Sequence, residues 1–242
     1  MIKIRIRIIS FLIHTNELIF FYPKLARAYR KLFSQKKLNF AIDVGVNKGQ
    51  TIFFLKKINK NTRIIGFEPH KALYSKLTER IKDSKIKIFN LGCSDQEGEA
   101  IFKENILSES SSFETVNENS RWLKKKETIL GLKNEKLVIN EYNIKTIRLN
   151  NFIQKEFNDL IIDMIKIDVE GHELKVLNGL FPIYSNNVIR YIQIESNEDD
   201  LYKDNSKAIK KLLNEKGFYH ETSIKHGFGN FYDIIYKNKY FE

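Results

Sequence analysis

One segment constrains this chain more than any other. In Phe40-Ala41-Ile42-Asp43-Val44-Gly45-Val46-Asn47-Lys48-Gly49-Gln50 an apolar strand runs into a turn bracketed by two glycines and then into helix-forming sequence. A buried strand that feeds a glycine turn and a helix makes the nucleotide-binding corner of an open α/β sheet. Gly45 lets the backbone turn without a Cβ and approach a ligand, and Gly49 lets the helix start close behind it. Asn47 accepts unusual backbone angles better than most side chains. The dinucleotide fingerprint G-x-G-x-x-G is incomplete, because glycine stands only at its first and last places, which argues against a pyrophosphate ligand.

From residue 39 onward short apolar runs alternate with helical stretches, the pattern of a mostly parallel sheet covered on both faces. The predicted strands are Phe40 to Val44, Arg63 to Glu68, Lys85 to Leu91, Asp163 to Asp168 and Val188 to Glu195. Gln50 to Ile58 forms a helix between the first two, and Leu73, Leu77 and Ile81 mark one helical face between the next two. Residues 97 to 148 break this rhythm with a serine run, a charged stretch around Trp122 and a strand-like LVINEYNIKTIRL, and read as an insertion beside the sheet. Ala208, Ile209, Leu212 and Leu213, closed by Gly217, make a late helix. GFYHETSI and FYDIIYK then make a terminal hairpin.

With 242 residues, 42% hydrophobic and 29% charged, the chain has the composition of a soluble globule, which excludes disordered, collagen-like and disulfide-scaffold classes. Its net charge of +11 is uneven. Residues 1–37 hold nine Lys/Arg against the single acid Glu17, a local +8, which leaves +3 for the other 205 residues. A nucleic-acid binder spreads basic charge over its fold, so the distribution describes a basic arm on a nearly neutral body and argues against nucleic acid as partner. The arm starts MIKIRIRIISFLIHTNELIFFY, where Lys3, Arg5, Arg7, His14, Asn16 and Glu17 interrupt any run of the roughly 18 to 20 apolar residues that a span requires. The apolar core IISFLI is short and lacks a cleavage site of signal-peptide type. A single cysteine, Cys93, fits a reducing compartment, so the expected location is cytoplasmic, with peripheral contact at the inner membrane face open to the basic, isoleucine-rich arm. The arm could equally pack against a second copy or cap the domain.

Two strand ends carry the candidate chemistry. Glu68, nineteen residues past Gly49, sits where a carboxylate can grip a ribose diol, and Asp43 one strand over can face an ammonium. The second is Asp163-Met164-Ile165-Lys166-Ile167-Asp168-Val169-Glu170-Gly171-His172-Glu173, at the carboxyl end of the central strand, where open α/β sheets bind their ligands. Lys166 and Asp168 share a face, and Gly171 permits His172 to swing toward the cleft as a general base. Glu195 ends the next strand beside them. Asp168, Glu195 and Asn197 offer oxygen ligands of the kind Mg²⁺ takes, although nothing in their spacing demands a metal.

These motifs resemble the FkbM family of S-adenosylmethionine-dependent methyltransferases over roughly residues 38 to 237. The resemblance rests on DVGVNKGQ at 43–50, GFEP at 66–69, NLGCSDQEG at 90–98, the serines 110–112 and IDMIKIDVEGHELKVLNG at 162–179. It implies a Rossmann-like class I methyltransferase fold, a seven-stranded, mostly parallel sheet with helices on both faces and a C-terminal antiparallel hairpin. The implied organisation is a basic helical arm over 1–37 and a methyltransferase domain over 38–242, with 103–148 on the substrate side. Carried across, Asp43, Gly45, Asn47 and Gly49 cradle the methionine part of S-adenosylmethionine, Glu68 holds its ribose, and Ser94 with Asp95 borders the adenine. Asp168, Glu170 and His172 line the acceptor side. Val46 and Asn47 stand where such turns often carry alanine or glycine. The expected reaction is O-methylation of a sugar or glycan hydroxyl, such as a surface polysaccharide precursor, with His172 as base and Asp168 or Glu195 orienting it. Trp122 and Phe113 are candidates to stack on a sugar face. RNA methylation and a membrane or assembly module with a vestigial cofactor site are the rival readings.

Overall fold

The computed structural model describes residues 2–132, 137–157, 160–180, 188–197, 200–227 and 231–241. The chain starts as one nearly continuous helical rod. Helix α1 (Ile2–Asn16) passes through a π-helical turn, Glu17–Phe21, into α2 (Tyr22–Leu32), and Asn16, Phe21 and Tyr22 all keep right-handed helical angles.

The body then builds a seven-stranded sheet from β1 (Phe40–Val44), β2 (Arg63–Phe67), β3 (Ile86–Phe89), β7 (Ile162–Ile167), β8 (Ile189–Asn197), β9 (Phe218–Lys225) and β10 (Phe231–Asn238). Its order is β3-β2-β1-β7-β8-β10-β9, parallel throughout except for β10, which runs against both neighbours. That is the class I methyltransferase layout, and the terminal hairpin is its antiparallel edge. The strands end within one or two residues of where the apolar runs place them.

Period-two alternation sends successive residues to opposite faces, and both faces are covered. Ile42, Val44, Ile165, Ile167, Ile192 and Ile194 meet α6 (Leu149–Glu156), α7 (Glu173–Gly179) and α8 (Ser206–Glu215) through Leu149, Ile153, Val176, Leu177, Ile209 and Leu213. On the other face Ala41, Ile64, Met164, Tyr191 and Ile235 meet α2 and α3 (Gln50–Ile58). Helix α4 (Lys71–Arg80) adds Leu77 to that face. Phe21, Leu25, Tyr29 and Phe33 belong to this core, so the second half of the basic arm is a layer of the domain and not an appendage.

The insertion folds as a three-stranded sheet, with β6 (Val138–Ile147) between β4 (Gly92–Cys93) and β5 (Gly98–Asn105). Helix α5 (Arg121–Leu130) starts at Ser120, whose hydroxyl caps the Leu123 N–H, and stops at Gly131 in a left-handed conformation. Its Leu123 and Leu130 pack with Leu107, Leu132 and Leu137, and Ile6 and Ile9 of α1 lean on the same cluster. Rod and insertion therefore close over one end of the sheet.

Strand order reverses between β1 and β7, because the chain runs outward through β2 and β3 before it returns on the other side of β1. A ligand crevice forms at such a switch point, beyond the carboxyl ends of the strands. Gly45 and Asp168 are the residues at its lip.

Candidate active site

Two connected spaces occupy that crevice. The first is a narrow slot walled by Phe67, Leu73, Leu91, Phe102 and Phe113, with Glu68 at its rim. Its floor is the turn after β1, where Gly45, Asn47 and Gly49 take φ values of +88°, +53° and +86°. The N–H groups of Gly45 and Val46 both donate to the Phe67 carbonyl, at 3.0 and 3.2 Å, which anchors the turn to the end of β2. A Cβ on Gly45 would lie 1.8 Å from the Asp168 carbonyl oxygen, so only glycine lets β1 and β7 converge here.

Glu68 is held by backbone alone. The Asn47 N–H donates to its Oε2 at 2.6 Å and the His70 N–H to its Oε1 at 2.7 Å, so each oxygen keeps a free lone pair. Burial pushes its pKa up to about 7, against the pull of those two hydrogen bonds. Asp43 is fully buried, and neither of its carboxylate oxygens has a hydrogen-bond partner among the described residues. Burial lifts its pKa to about 7 while Lys166 opposes the rise.

The second space is a chamber of about 630 Å³ on the rod side of the sheet. Its floor carries Lys166, Asp168, Gln193, Glu195, His226 and Asp233, and its roof comes from Glu17 and Tyr22 of the rod and from Trp122 of α5. Lys166 Nζ donates to Asp168 at 2.7 Å, as their shared face predicts. The carboxylates of Asp168, Glu170 and Glu195 lie within 4.8 Å of one another. Burial works against an ionised Asp168, but Lys166 and a hydrogen bond from Glu195 hold its carboxyl below the usual range. Glu195 is pushed well above that range, first by burial and then by Asp168 and Glu170. Of this pair, Glu195 keeps the proton.

A second relay crosses the same floor. Tyr29 Oη donates to Gln193 Oε1 at 2.5 Å, and Gln193 Nε2 donates to Asp233 Oδ2 at 2.7 Å. The His226 ring stacks on Phe21 at 3.9 Å between centroids. Its Nε2 stands 3.6 Å from Asp233 Oδ1 and 4.0 Å from Glu195 Oε1 and makes no hydrogen bond among the described residues.

Several of the expected site residues lie outside both spaces in the structure. His172 lines neither space. It sits at the start of α7, 4% exposed, with Nδ1 2.6 Å from Glu114 Oε1 and Nε2 3.0 Å from Ser94 Oγ. Glu114 on the insertion supplies the anchor: the His172 hydrogen bond, followed by that of Lys175, holds its carboxyl at about 2 despite partial burial. Both imidazole nitrogens are thus committed away from the cleft. Ser94 and Asp95 also lie off the slot. Gly179 of α7 packs directly on the Ser94 carbonyl, which turns Ser94 toward His172 and leaves Leu91, Gly92 and Cys93 beside the slot.

Trp122 and Phe113 face different spaces, Trp122 the chamber and Phe113 the slot, so they form no common stacking platform. Glu170 lines both and takes φ +53°, a costly conformation for a glutamate. Glu173 explains how that turn is held, since its carboxylate accepts the N–H groups of Val169 at 3.2 Å and Gly171 at 3.1 Å. The Asn197 side chain of the Mg²⁺ expectation lies outside the described residues.

The sequence expectations did not include His226, Asp233 or Gln193. The available signal was a lone polar residue inside each of two apolar strands, in YIQIES and FYDIIY. In the structure these are Gln193 and Asp233, 1% and 2% exposed and bonded to each other.

The sequence pattern of the methyltransferase FkbM domain matches residues 43–219, from the first strand to the terminal hairpin. No curated protein shows a significant match. Among solved structures, precorrin-6y C5,15-methyltransferase from Geobacter metallireducens is 8% identical with a TM-score of 0.46, covering 88% of this chain and 86% of its own. Magnesium protoporphyrin IX methyltransferase from Synechocystis, solved with bound SAM, is 10% identical with a TM-score of 0.46 over 89% and 77% of the two chains. A SAM-dependent methyltransferase from Aquifex aeolicus is 14% identical with a TM-score of 0.41 over 96% and 97%. At these levels the likenesses say nothing about substrate. The match to the domain pattern spans well over half of the chain and includes the glycine turn, Glu68 and, from the chamber floor, Asp168 and Glu195, so the chain belongs to the FkbM family and is an S-adenosylmethionine-dependent methyltransferase.

Proposed function

We propose that this enzyme O-methylates a hydroxyl of a sugar or glycan, with the slot holding the cofactor and the chamber holding the acceptor. The observation that carries the reading is the chamber itself, where acid and base groups line the floor and an aromatic residue with an unpaired donor lines the roof. The Trp122 indole N–H is buried and has no hydrogen-bond partner among the described residues. The Lys125 ammonium lies over the indole ring at 5.0 Å, so what Trp122 offers a sugar is its free N–H donor.

The residues present fit S-adenosylmethionine. Glu68 has two lone pairs left for a ribose diol and the apolar slot walls suit an adenine, whereas Asp43 lies buried behind both spaces with Lys166 as its neighbouring cation. The cofactor supplies an activated methyl group, so the protein's tasks are alignment and removal of one proton. Alignment accounts for about 7 to 11 kcal/mol of barrier lowering in ideal cases. His226 Nε2 takes the proton of the acceptor hydroxyl as its oxygen gains the methyl, and Asp233 faces the imidazolium that results. Asp168 and Glu170 orient the acceptor. Lys166 pairs with Asp168 at 2.7 Å and neutralises that one carboxylate of the floor.

Nucleic acid is a poorer acceptor on the same grounds. A polyanion would meet the carboxylates of Glu170 and Asp233 beside the already paired Lys166 and Asp168. Calorimetry with S-adenosylhomocysteine tests the cofactor half: Glu68→Ala should weaken binding about 100-fold by losing two charge-assisted contacts. An unchanged dissociation constant would refute the ribose role. Methyl transfer from labelled cofactor to a panel of hydroxylated sugars and nucleotide sugars, with RNA as comparator, tests the acceptor half.

A further inference from the structure

Helix α1 is apolar on two sides, and only one is covered. Ile6 and Ile9 pack on the α5 cluster, whereas Ile4, Ile8, Phe11, Leu12, Leu18 and Ile19 are all between 49% and 67% exposed among the described residues. The bare residues follow one helical face, because positions 4, 8, 11 and 12 and then, past Thr15, positions 18 and 19 recur at three- and four-residue steps. Globular proteins rarely leave a continuous patch of large apolar side chains in water.

The π-helical turn carries that face onward. It inserts its extra residue without breaking the rod, so the same side continues from Ile19 to Pro23, Arg27, Arg30 and Lys31, all exposed. The rod thus presents one outward stripe, apolar along α1 and cationic along α2. Among the described residues no helix is long and apolar enough to cross a membrane.

We infer that this stripe docks the enzyme on an anionic phospholipid surface, with the bare face of α1 lying in the interfacial plane and the α2 cations meeting the headgroups. Charge selects this occupant over a second copy. A two-fold contact through the apolar half would leave the α2 cations without a partner, whereas an anionic leaflet complements both halves of the stripe. Each Lys or Arg that reaches such a surface strengthens binding by about fivefold. The rod also walls the chamber through Ile9, Leu12 and Ile13, so docking places the acceptor space next to the lipid. The docking itself is independent of the acceptor assignment above.

Deleting residues 1–37 is the wrong test, since Phe21, Leu25, Tyr29 and Phe33 are core residues whose loss would unfold the domain. The full chain should instead be sedimented with vesicles of phosphatidylcholine containing one quarter phosphatidylglycerol, and with phosphatidylcholine alone. Binding should be at least about tenfold stronger on the anionic vesicles. Ile8→Asp with Phe11→Asp, at positions that touch neither slot nor chamber, should lower that binding by tenfold or more at unchanged melting temperature. Arg27→Glu with Arg30→Glu should remove the preference for phosphatidylglycerol. Failure to bind anionic vesicles, or binding that the Ile8/Phe11 variant leaves intact, overturns the inference. So does a dimer in sedimentation equilibrium that this variant splits without any vesicle binding, which would assign the face to a second copy. Cofactor affinity, read by calorimetry without vesicles, reports separately on the methyl-transfer reading.

Discussion

In the cofactor slot the ligand-facing carboxylate of Glu68 is fixed by two backbone N–H groups on a turn that is itself tied to β2. In the chamber beside it the polar groups lean on one another's side chains, Tyr29 on Gln193 and Gln193 on Asp233, and His226 Nε2 and the Trp122 N–H are left unpaired among the described residues. Backbone placement suits a ligand that never changes, because main-chain atoms keep their identity whatever side chains they carry. Side-chain placement suits a part of the site where each enzyme must recognise its own acceptor, and under the proposed function the unpaired buried groups are the ones that meet it.

This difference can be broken from either side. The largest effect should come from the chamber. His226→Gln is expected to lower kcat by about 10² to 10⁴ while leaving the affinity for S-adenosylhomocysteine unchanged. His172→Gln should do the reverse, with kcat nearly intact and stability lower by about 1–3 kcal/mol through the lost Glu114 and Ser94 bonds. Steady-state kinetics and thermal melts of both variants decide between the two histidines. If His172→Gln abolished turnover and His226→Gln did not, the acceptor side would have to be redrawn around α7.

The next effect belongs to the slot. Gly45→Ala drives a Cβ into the Asp168 carbonyl at a φ of +88° and should cost about 3 kcal/mol or more, a fall in Tm of about 6 °C or more. A variant that melts like the parent would show that β1 and β7 are not in contact there. The smallest effect is a pH dependence. Burial raises the pKa of Glu68 to about 7, so in the free protein it is protonated below that pH. The diol needs the ionised form as double acceptor, so cofactor affinity should rise with pH through about 7 and level off above it. Between pH 6 and 8 Glu68 alone accounts for about a tenfold change. Equal affinities at the two pH values would mean that Glu68 is already ionised without cofactor.

The slot was the legible half. Gly45, Asn47, Gly49 and Glu68 lie within 26 residues, and strand, turn and helix periodicities place them without knowledge of the rest of the chain. Asp168 was legible for the same reason, as the end of a buried strand. His172 shows where such legibility stops. A histidine just past a glycine at a strand end can turn to either side, and the choice was made by Glu114, 58 residues away on the insertion. His226 and Asp233 carried only a faint mark, a polar residue in an apolar strand and a histidine at the end of its partner. Whether the rod stands off or caps the domain was open in the sequence, because its charge is local, whereas its apolar residues are spent on a sheet face that forms from distant strands.

Local pattern was sufficient for the order of strands and helices, the glycine corner and the family, since each of these depends on the period of apolar residues or on backbone angles within a few positions. The position of His226 on the chamber floor, the roof over that chamber and the exposed stripe on the rod depend on which surfaces meet across β10, α5 and α1. Those contacts join residues up to about two hundred positions apart, and burial of apolar area, which has no direction along the chain, selects among them.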